Sequence, residues 1–118
     1  MDIELNPTAM KYKEQGNQAY KSQNYDKAIN YYTKAIEVQE DASFYSNRAI
    51  CYYNLNRFEE CIRDCDHAVR MNPQLAKAWK KKYQACINVL KFDQAEDAAK
   101  TYAGIEKSIA ANNELEEV

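Results

Sequence analysis

Residues that interrupt regular secondary structure are scarce in this sequence. Its 118 residues include only two glycines and two prolines, whereas a protein built from many short strands needs such residues at its turns. Alanine, lysine, glutamate and glutamine are frequent, and β-branched residues never form a run. The composition therefore predicts an all-α protein, and the length predicts a single domain over residues 1–118.

Long apolar stretches and a surplus of one charge are also missing. No run is long enough for a transmembrane helix, and charged side chains near the start do not fit a secretory signal peptide. Sixteen basic and eighteen acidic residues give a net charge of −2. This balance argues against a general affinity for nucleic acid or for a membrane surface. We therefore expect a cytoplasmic protein that binds neither.

Motifs for catalysis and metal binding are equally hard to find. There is no Cys-x-x-Cys pair, glycine-rich phosphate loop or nucleophile elbow, so we expect no enzymatic activity, metal or cofactor. Four cysteines lie in helical patterns where small apolar residues are expected, which favours reduced core thiols: Cys51, Cys61, Cys65 and Cys86. Zinc is the weaker alternative, because two further ligands would have to join Cys61 and Cys65, for example His67.

What the sequence does contain is an internal repeat. Bulky and small residues recur with the same spacing in three copies, which start 33 and then 34 residues apart. A period of this length is typical of stacked helical units, each of which buries its apolar face against the next. The recurring residues are Tyr12, Gly16, Ala28, Tyr32 and Ala35, then Tyr45, Ala49, Cys61, Cys65 and Ala68, then Trp79, Tyr83, Ala95, Ala99 and Tyr102.

The repeats divide the chain into three helix pairs, over about residues 9–41, 42–75 and 76–109. Asn6 and Asp41 are expected to cap the first helix of the first and second pairs. A helix or tail is expected over about 104–118, and Gly104 either breaks the last helix or is absorbed in it. The predicted helices span about 7–22, 25–39, 42–55, 58–71, 75–90 and 92–103.

This pattern resembles the tetratricopeptide repeat (TPR) over roughly residues 9 to 110. The resemblance implies three tandem helix-turn-helix repeats in a right-handed α-solenoid, with a C-terminal capping or extended helix. It also implies that the first helix of each pair lines a concave face. Glu40 stands where the family has proline, and Tyr83 stands where it has a small residue. We expect Tyr83 to push its two helices apart or to point elsewhere.

Five residues on the predicted concave face match the carboxylate clamp of co-chaperone TPR domains: Lys13, Asn17, Asn47, Lys77 and Lys81. The match implies binding of the free C-terminal Glu-Glu-Val-Asp of the seventy- and ninety-kilodalton heat-shock proteins, with no chemistry on the ligand. A chain terminus that ends in aspartate offers two carboxylates close together, and charge-assisted hydrogen bonds to carboxylates are strong. The family often has arginine at the position of Lys81, and lysine lacks the planar bidentate fork.

Alternatives to this interpretation stay open at this point. Tyr20, Ile50 and Lys80 could border the groove and contact the ligand upstream of its terminus, but packing or solvent exposure would explain them equally well. The clamp residues themselves could be ordinary surface side chains. In that case the chain would be an assembly scaffold that binds another peptide or a TPR partner without a clamp.

The acidic end of the sequence is similar to the expected ligand without its final aspartate. Residues 112–118 end in Glu116, Glu117 and Val118. If Val118 is the true terminus, its carboxylate could enter the clamp of a neighbouring molecule, giving self-association, or fold back as an autoinhibitor. A solvated tail is the simpler expectation.

Overall fold

A computed structural model describes residues 4–116, with side chains described as far as residue 113. This part of the chain has no strand and forms three tandem helix-turn-helix pairs of a right-handed solenoid. None of its helices is both long and apolar enough to cross a membrane. The expected tail contact involves Glu116, Glu117 and Val118, whose side chains lie outside the described residues. The helices are α1 (Pro7–Lys21), α2 (Tyr25–Val38), α3 (Ala42–Asn54), α4 (Phe58–Met71), α5 (Ala76–Asn88) and α6 (Phe92–Glu116).

Local side-chain chemistry explains where the first helices begin. Asn6 Oδ1 accepts a hydrogen bond from the Thr8 amide at 2.8 Å, and Pro7 occupies the first helical position. Asp41 caps α3 in the same way by accepting from the Ser43 amide at 3.0 Å. Both predicted caps are therefore confirmed, and all six helices begin within one residue of the predicted positions.

The turn inside each pair uses a left-handed backbone conformation without glycine. Gln23, Asn56 and Leu90 have φ angles of 60°, 61° and 62° and occupy equivalent positions in the three repeats. The next residue's amide closes each turn on a carbonyl of the preceding helix, as in Lys91 N to Cys86 O at 2.8 Å. Leucine is unfavourable in this conformation, so nothing in the sequence marks Leu90 as the turn residue.

The helices of a pair are matched in side-chain volume where they meet. In the first repeat, Gly16 leaves room for the Tyr32 ring, which would lie 2.6 Å from an added Cβ. The repeat positions of these two residues are taken by alanine and cysteine in the second pair, and by Tyr83 and Ala99 in the third. Large and small residues are thus exchanged between α5 and α6. Tyr83 is half-buried, packs against the core and lies 6.0 Å from the Tyr102 ring.

A largely buried ion pair inside the second repeat is hydrogen-bonded to the first repeat through its arginine. Arg48 on α3 donates from Nε and Nη2 to both carboxylate oxygens of Asp64 on α4, at 2.7 and 2.8 Å. Its Nη1 also donates to Thr33 Oγ1 on α2 at 3.0 Å. Both charged side chains are largely buried, so each needs the other to offset the cost of leaving water. The bidentate contact fixes the orientation of α3.

The last helix follows the second of the two alternatives for Gly104, in which the glycine is absorbed and the helix is extended. It continues through Gly104 to Glu116, and Ile105 is buried while Ile109 is half exposed. Ile29 and Ile62 are buried between successive repeats, but the equivalent residue of the third repeat is Glu96, which is exposed and paired with Lys100. A charged residue therefore takes the place of the isoleucine that packs between repeats in the first two pairs.

The four cysteines are buried thiols, as predicted. Cys61, Cys65 and Cys86 share one cluster, whereas Cys51 lies in the neighbouring one. Burial raises the pKa of the Cys51 thiol to about 12. Within residues 4–116 no three histidine, cysteine or acidic side chains are grouped so that they could hold a metal ion. His67 is partly exposed, with its ring stacked on Tyr45 at 4.1 Å.

Candidate peptide-binding site

The first helices of the second and third repeats, α3 and α5, contact each other, and this contact joins two of the predicted clamp residues. Helix α3 packs against α5 as well as against α2 and α4. Across this contact the Lys77 Nζ donates a hydrogen bond to Asn47 Oδ1 at 2.9 Å. The two residues are 30 positions apart in the sequence, so the curvature of the solenoid brings them together.

Lys13 contributes a second positive charge to the same place. The pKa of Lys77 lies below the ordinary lysine value, first because burial disfavours its charged form and then because the Lys13 ammonium repels it. The negative charge of Asp41 has the opposite effect and raises the pKa of Lys77. Two like charges held close together create a local positive potential. A bound carboxylate would relieve their repulsion.

Asn17 and Asn47 line one pocket of about 380 Å³ on this face. The Tyr32 hydroxyl, from the second helix of the first repeat, donates to Asn17 Oδ1 at 2.6 Å. Two of the three secondary candidates, Tyr20 and Ile50, line the same pocket, whereas Lys80 does not. The complete lining consists of Glu14, Asn17, Gln18, Tyr20, Lys21, Tyr32, Asn47 and Ile50.

Lys81 lies one helical turn from Lys77, but its ammonium is engaged elsewhere. Its Nζ lies 4.2 Å from the centroid of the Tyr53 ring, a cation–π contact. Burial also lowers the pKa of Lys81. Lys80 is exposed, with its Nζ 6.0 Å from the Tyr102 ring centroid. The structure therefore brings four predicted clamp residues into one region and leaves the ammonium of Lys81 on an aromatic ring beside it.

Two contributions to the site could not be assigned from the sequence. Tyr32 was interpreted only as a packing aromatic of the repeat, yet its hydroxyl contacts a predicted clamp residue. Arg48 follows Asn47 in the sequence, but it points away from the pocket and anchors α3 through Asp64. The only sequence signal of that ion pair was the position of Asp64, an acidic residue between the buried residues Ile62 and Cys65 of α4.

The assembled side chains form a donor-rich surface. The Lys77 ammonium contacts the Asn47 amide, the Lys13 charge acts on Lys77, and the pocket that Asn17 and Asn47 line continues along apolar surface from Tyr20, Ile50 and the Tyr32 ring. Lysine and asparagine side chains supply hydrogen-bond donors to an anion, and apolar walls accommodate a neighbouring side chain. This combination fits a short peptide with a negatively charged end.

Comparison with known proteins identifies the class to which this fold and site belong. The sequence pattern of the tetratricopeptide repeat matches residues 9–42 and 42–75. These two matches cover the first two helix pairs, and α5 with α6 forms the third pair in the structure. The chain belongs to the tetratricopeptide repeat family.

Particular relatives narrow the comparison to proteins of the chaperone system. The heat shock protein STI1 of Saccharomyces cerevisiae is 38% identical over 109 residues, covering 91% of this chain and 18% of STI1. The Hsp70-Hsp90 organizing protein 3 of Arabidopsis thaliana is 44% identical over 73 residues, covering 61% of this chain and 13% of that protein. The chain thus spans less than a fifth of the length of either relative.

Solved structures show the same fold over nearly the whole chain. The TPR2B domain of yeast Sti1, solved in a complex with pHsp70, superposes with a TM-score of 0.86 at 26% identity, covering 95% of this chain and 90% of that one. The first TPR of Spaghetti (RPAP3), solved with the HSP90 peptide SRMEEVD, gives a TM-score of 0.85 at 29% identity, covering 98% and 94%.

Proposed function

We propose that this chain is a peptide-binding co-chaperone adaptor module that grips the free C-terminal Glu-Glu-Val-Asp of the seventy- and ninety-kilodalton heat-shock proteins. The observation that supports this proposal is the hydrogen bond from Lys77 to Asn47 beside a pocket that Asn47 shares with Asn17. The composition predicts that the module works in the cytoplasm as a single domain, without a cofactor. Binding involves no bond-making on the ligand.

The ligand's chemistry matches the site group by group. The terminal α-carboxylate and the side chain of the last aspartate are both acceptors, and the site offers ammonium and amide donors. Lys81 can join the clamp once its ammonium leaves the Tyr53 ring, at a cost of about 0.5–2 kcal/mol for a partly buried cation–π contact. The apolar part of the pocket, at Tyr20 and Ile50, then faces the preceding side chain of the peptide.

Two relatives support the choice of ligand. The structure of the Spaghetti domain contains an HSP90 peptide ending in Glu-Glu-Val-Asp, and the Sti1 domain was solved with an Hsp70 ligand. Both superpose on at least 95% of this chain. Because this chain spans only a small part of STI1, the proposal concerns the peptide-binding module and not the activity of a longer protein.

Calorimetric titration with a free-acid Glu-Glu-Val-Asp peptide and with its C-terminal amide tests this proposal. We expect the free acid to bind and amidation to abolish binding, since the amide removes the terminal charge. Lys77→Ala and Asn47→Ala should each weaken binding by about ten- to hundredfold, the value of a hydrogen bond to a charged group. Lys100→Ala is the matched charge control on α6 and should bind like the unaltered protein.

The scaffold alternative makes the opposite predictions. Equal binding of the free-acid and amidated peptides, or loss of affinity in the Lys100→Ala control comparable to that in Lys77→Ala, would show that the clamp is not the recognition element. Circular dichroism of each variant separates loss of binding from loss of fold.

A further inference from the structure

The two asparagines of the candidate site have their carbonyl oxygens engaged by the protein itself. Asn17 Oδ1 accepts from the Tyr32 hydroxyl at 2.6 Å, and Asn47 Oδ1 accepts from the Lys77 ammonium at 2.9 Å. A side-chain amide has one acceptor oxygen and one NH2 group with two donors. With the oxygen engaged, the NH2 group is the part left to meet a ligand. Carboxylates only accept, so this is the orientation that their recognition requires.

The two repeats reach this result by different means. Cys65 occupies in the second repeat the position that Tyr32 occupies in the first, and it is fully buried. A thiol is a weak donor, and Asn47 is oriented instead by Lys77 from the third repeat. Asn17 has Tyr32 in that role. The packing function of this repeat position needs an aromatic ring at most, so the hydroxyl of Tyr32 is an addition that packing does not explain.

Tyr32 is well placed to hold Asn17 in one orientation. Its ring is buried, with 2% of the residue exposed, and fills the space left by Gly16. The residue nevertheless lines the pocket that contains both asparagines. Burial raises the pKa of the phenol, so the hydroxyl remains a donor at neutral pH. A stiff, buried donor orients an amide better than a flexible surface side chain would.

We propose that Tyr32 is a positioning residue for peptide recognition, whose hydroxyl turns the Asn17 NH2 group toward the carboxylate of the ligand. This inference rests on the proposed function. It predicts that removing the Tyr32 hydroxyl, while keeping the ring that lines the pocket, lowers affinity for a free C-terminus.

Tyr32→Phe is the variant that tests this inference, because it keeps the ring and removes only the hydroxyl. We expect a three- to tenfold loss of affinity for the free-acid Glu-Glu-Val-Asp peptide, roughly one neutral hydrogen bond. Tyr45→Phe is the matched control, since Tyr45 is also buried and its hydroxyl donates to Glu40 at 2.6 Å, away from the pocket. It should leave the affinity unchanged.

A double-mutant cycle separates positioning from a general structural effect. If Tyr32 acts through Asn17, then Tyr32→Phe should cause no further loss in an Asn17→Ala background. A second readout needs no peptide: the side-chain amide NMR signals of Asn17 should shift and broaden in Tyr32→Phe and stay unchanged in Tyr45→Phe.

The outcomes distinguish this inference from the proposed function. If the unaltered protein prefers the free acid but Tyr32→Phe binds equally well, or if the losses add in the double variant, the positioning role is wrong and the clamp stands. Unchanged Asn17 amide signals in Tyr32→Phe would also overturn it. If the unaltered protein ignores amidation of the peptide, both proposals fail together.

Discussion

Adding one methyl group at Gly16 should destabilise the protein, whereas the same change at Gly104 should stabilise it. Both glycines lie inside helices, so replacing either with alanine favours the helix by about 1 kcal/mol. Their surroundings differ completely. A Cβ at Gly16 would lie 2.6 and 2.8 Å from two carbons of the Tyr32 ring, and a Cβ at Gly104 has no neighbour within 4 Å.

The loss of stability in Gly16→Ala can be estimated from how far the added Cβ falls short of a normal packing distance to the Tyr32 ring. Carbon atoms pack at about 3.5–4.0 Å, so the ring and α1 would have to separate by about 1 Å. Tyr32 is buried and cannot turn away into solvent. Overpacking of this kind costs typically about 1–3 kcal/mol, which exceeds the gain in helix propensity. We expect Gly16→Ala to lose about 1–2 kcal/mol and Gly104→Ala to gain up to about 1 kcal/mol.

Urea denaturation followed by circular dichroism measures both changes. With a slope of roughly 1–2 kcal/mol per molar urea for a small domain, the midpoints of the two variants should differ by about 1–2 M. Gly16→Ala should also weaken binding of the free-acid peptide, because the displaced ring carries the hydroxyl that contacts Asn17. If Gly16→Ala were as stable as Gly104→Ala, the volume match between Gly16 and Tyr32 would not limit how closely α1 and α2 pack.

Three further predictions concern stability and thiol chemistry. Arg48→Met should lower the free energy of unfolding by about 3 kcal/mol, because it leaves Asp64 buried without its partner. Urea titration measures this loss, and the double variant Arg48→Met/Asp64→Leu should recover the stability if the unpaired carboxylate is the cause. Leu90→Gly should raise stability by about 0.5–1 kcal/mol by relieving the left-handed backbone of an exposed residue, and Leu90→Ala, which keeps the strain, should not. Burial raises the pKa of Cys51 from 9.0 to about 12, so its contribution to stability should be fully present below pH 9 and lost as the pH rises toward 12. Ellman's reagent at pH 8 should therefore label Cys51 only as fast as the protein opens, and a prompt reaction in the folded state would contradict its burial.

The repeat architecture could be predicted because its signals are local. Caps at Asn6 and Asp41 lie within three residues of the amides that they bind, and the 33- and 34-residue spacing repeats the same helix pair. The sequence left open whether Gly104 ends the last helix, and the structure shows that α6 continues through it. Gly104 weakens a helix only modestly, and no proline follows it in the sequence.

The third repeat shows why single positions mislead when they are taken alone. Tyr83 departs from the small residue of the family pattern, but the chain compensates with Ala99 on the partner helix. The repeat keeps one large and one small residue at these two positions, although the two have exchanged helices. The sequence contained both halves of this exchange, and the structure shows Tyr83 half-buried against the core.

By itself the sequence determined the helical class, the three repeats and the residue types offered to an anionic peptide, because each depends on spacing within one helix or one repeat. Only the tertiary structure decided which acceptor or aromatic ring each of these donors contacts. The bonds from Tyr32 to Asn17 and from Lys77 to Asn47, and the position of Lys81 on the Tyr53 ring, join different helices. Such contacts depend on how the solenoid curves and on which neighbour a flexible side chain reaches first, and neither is encoded by any local pattern.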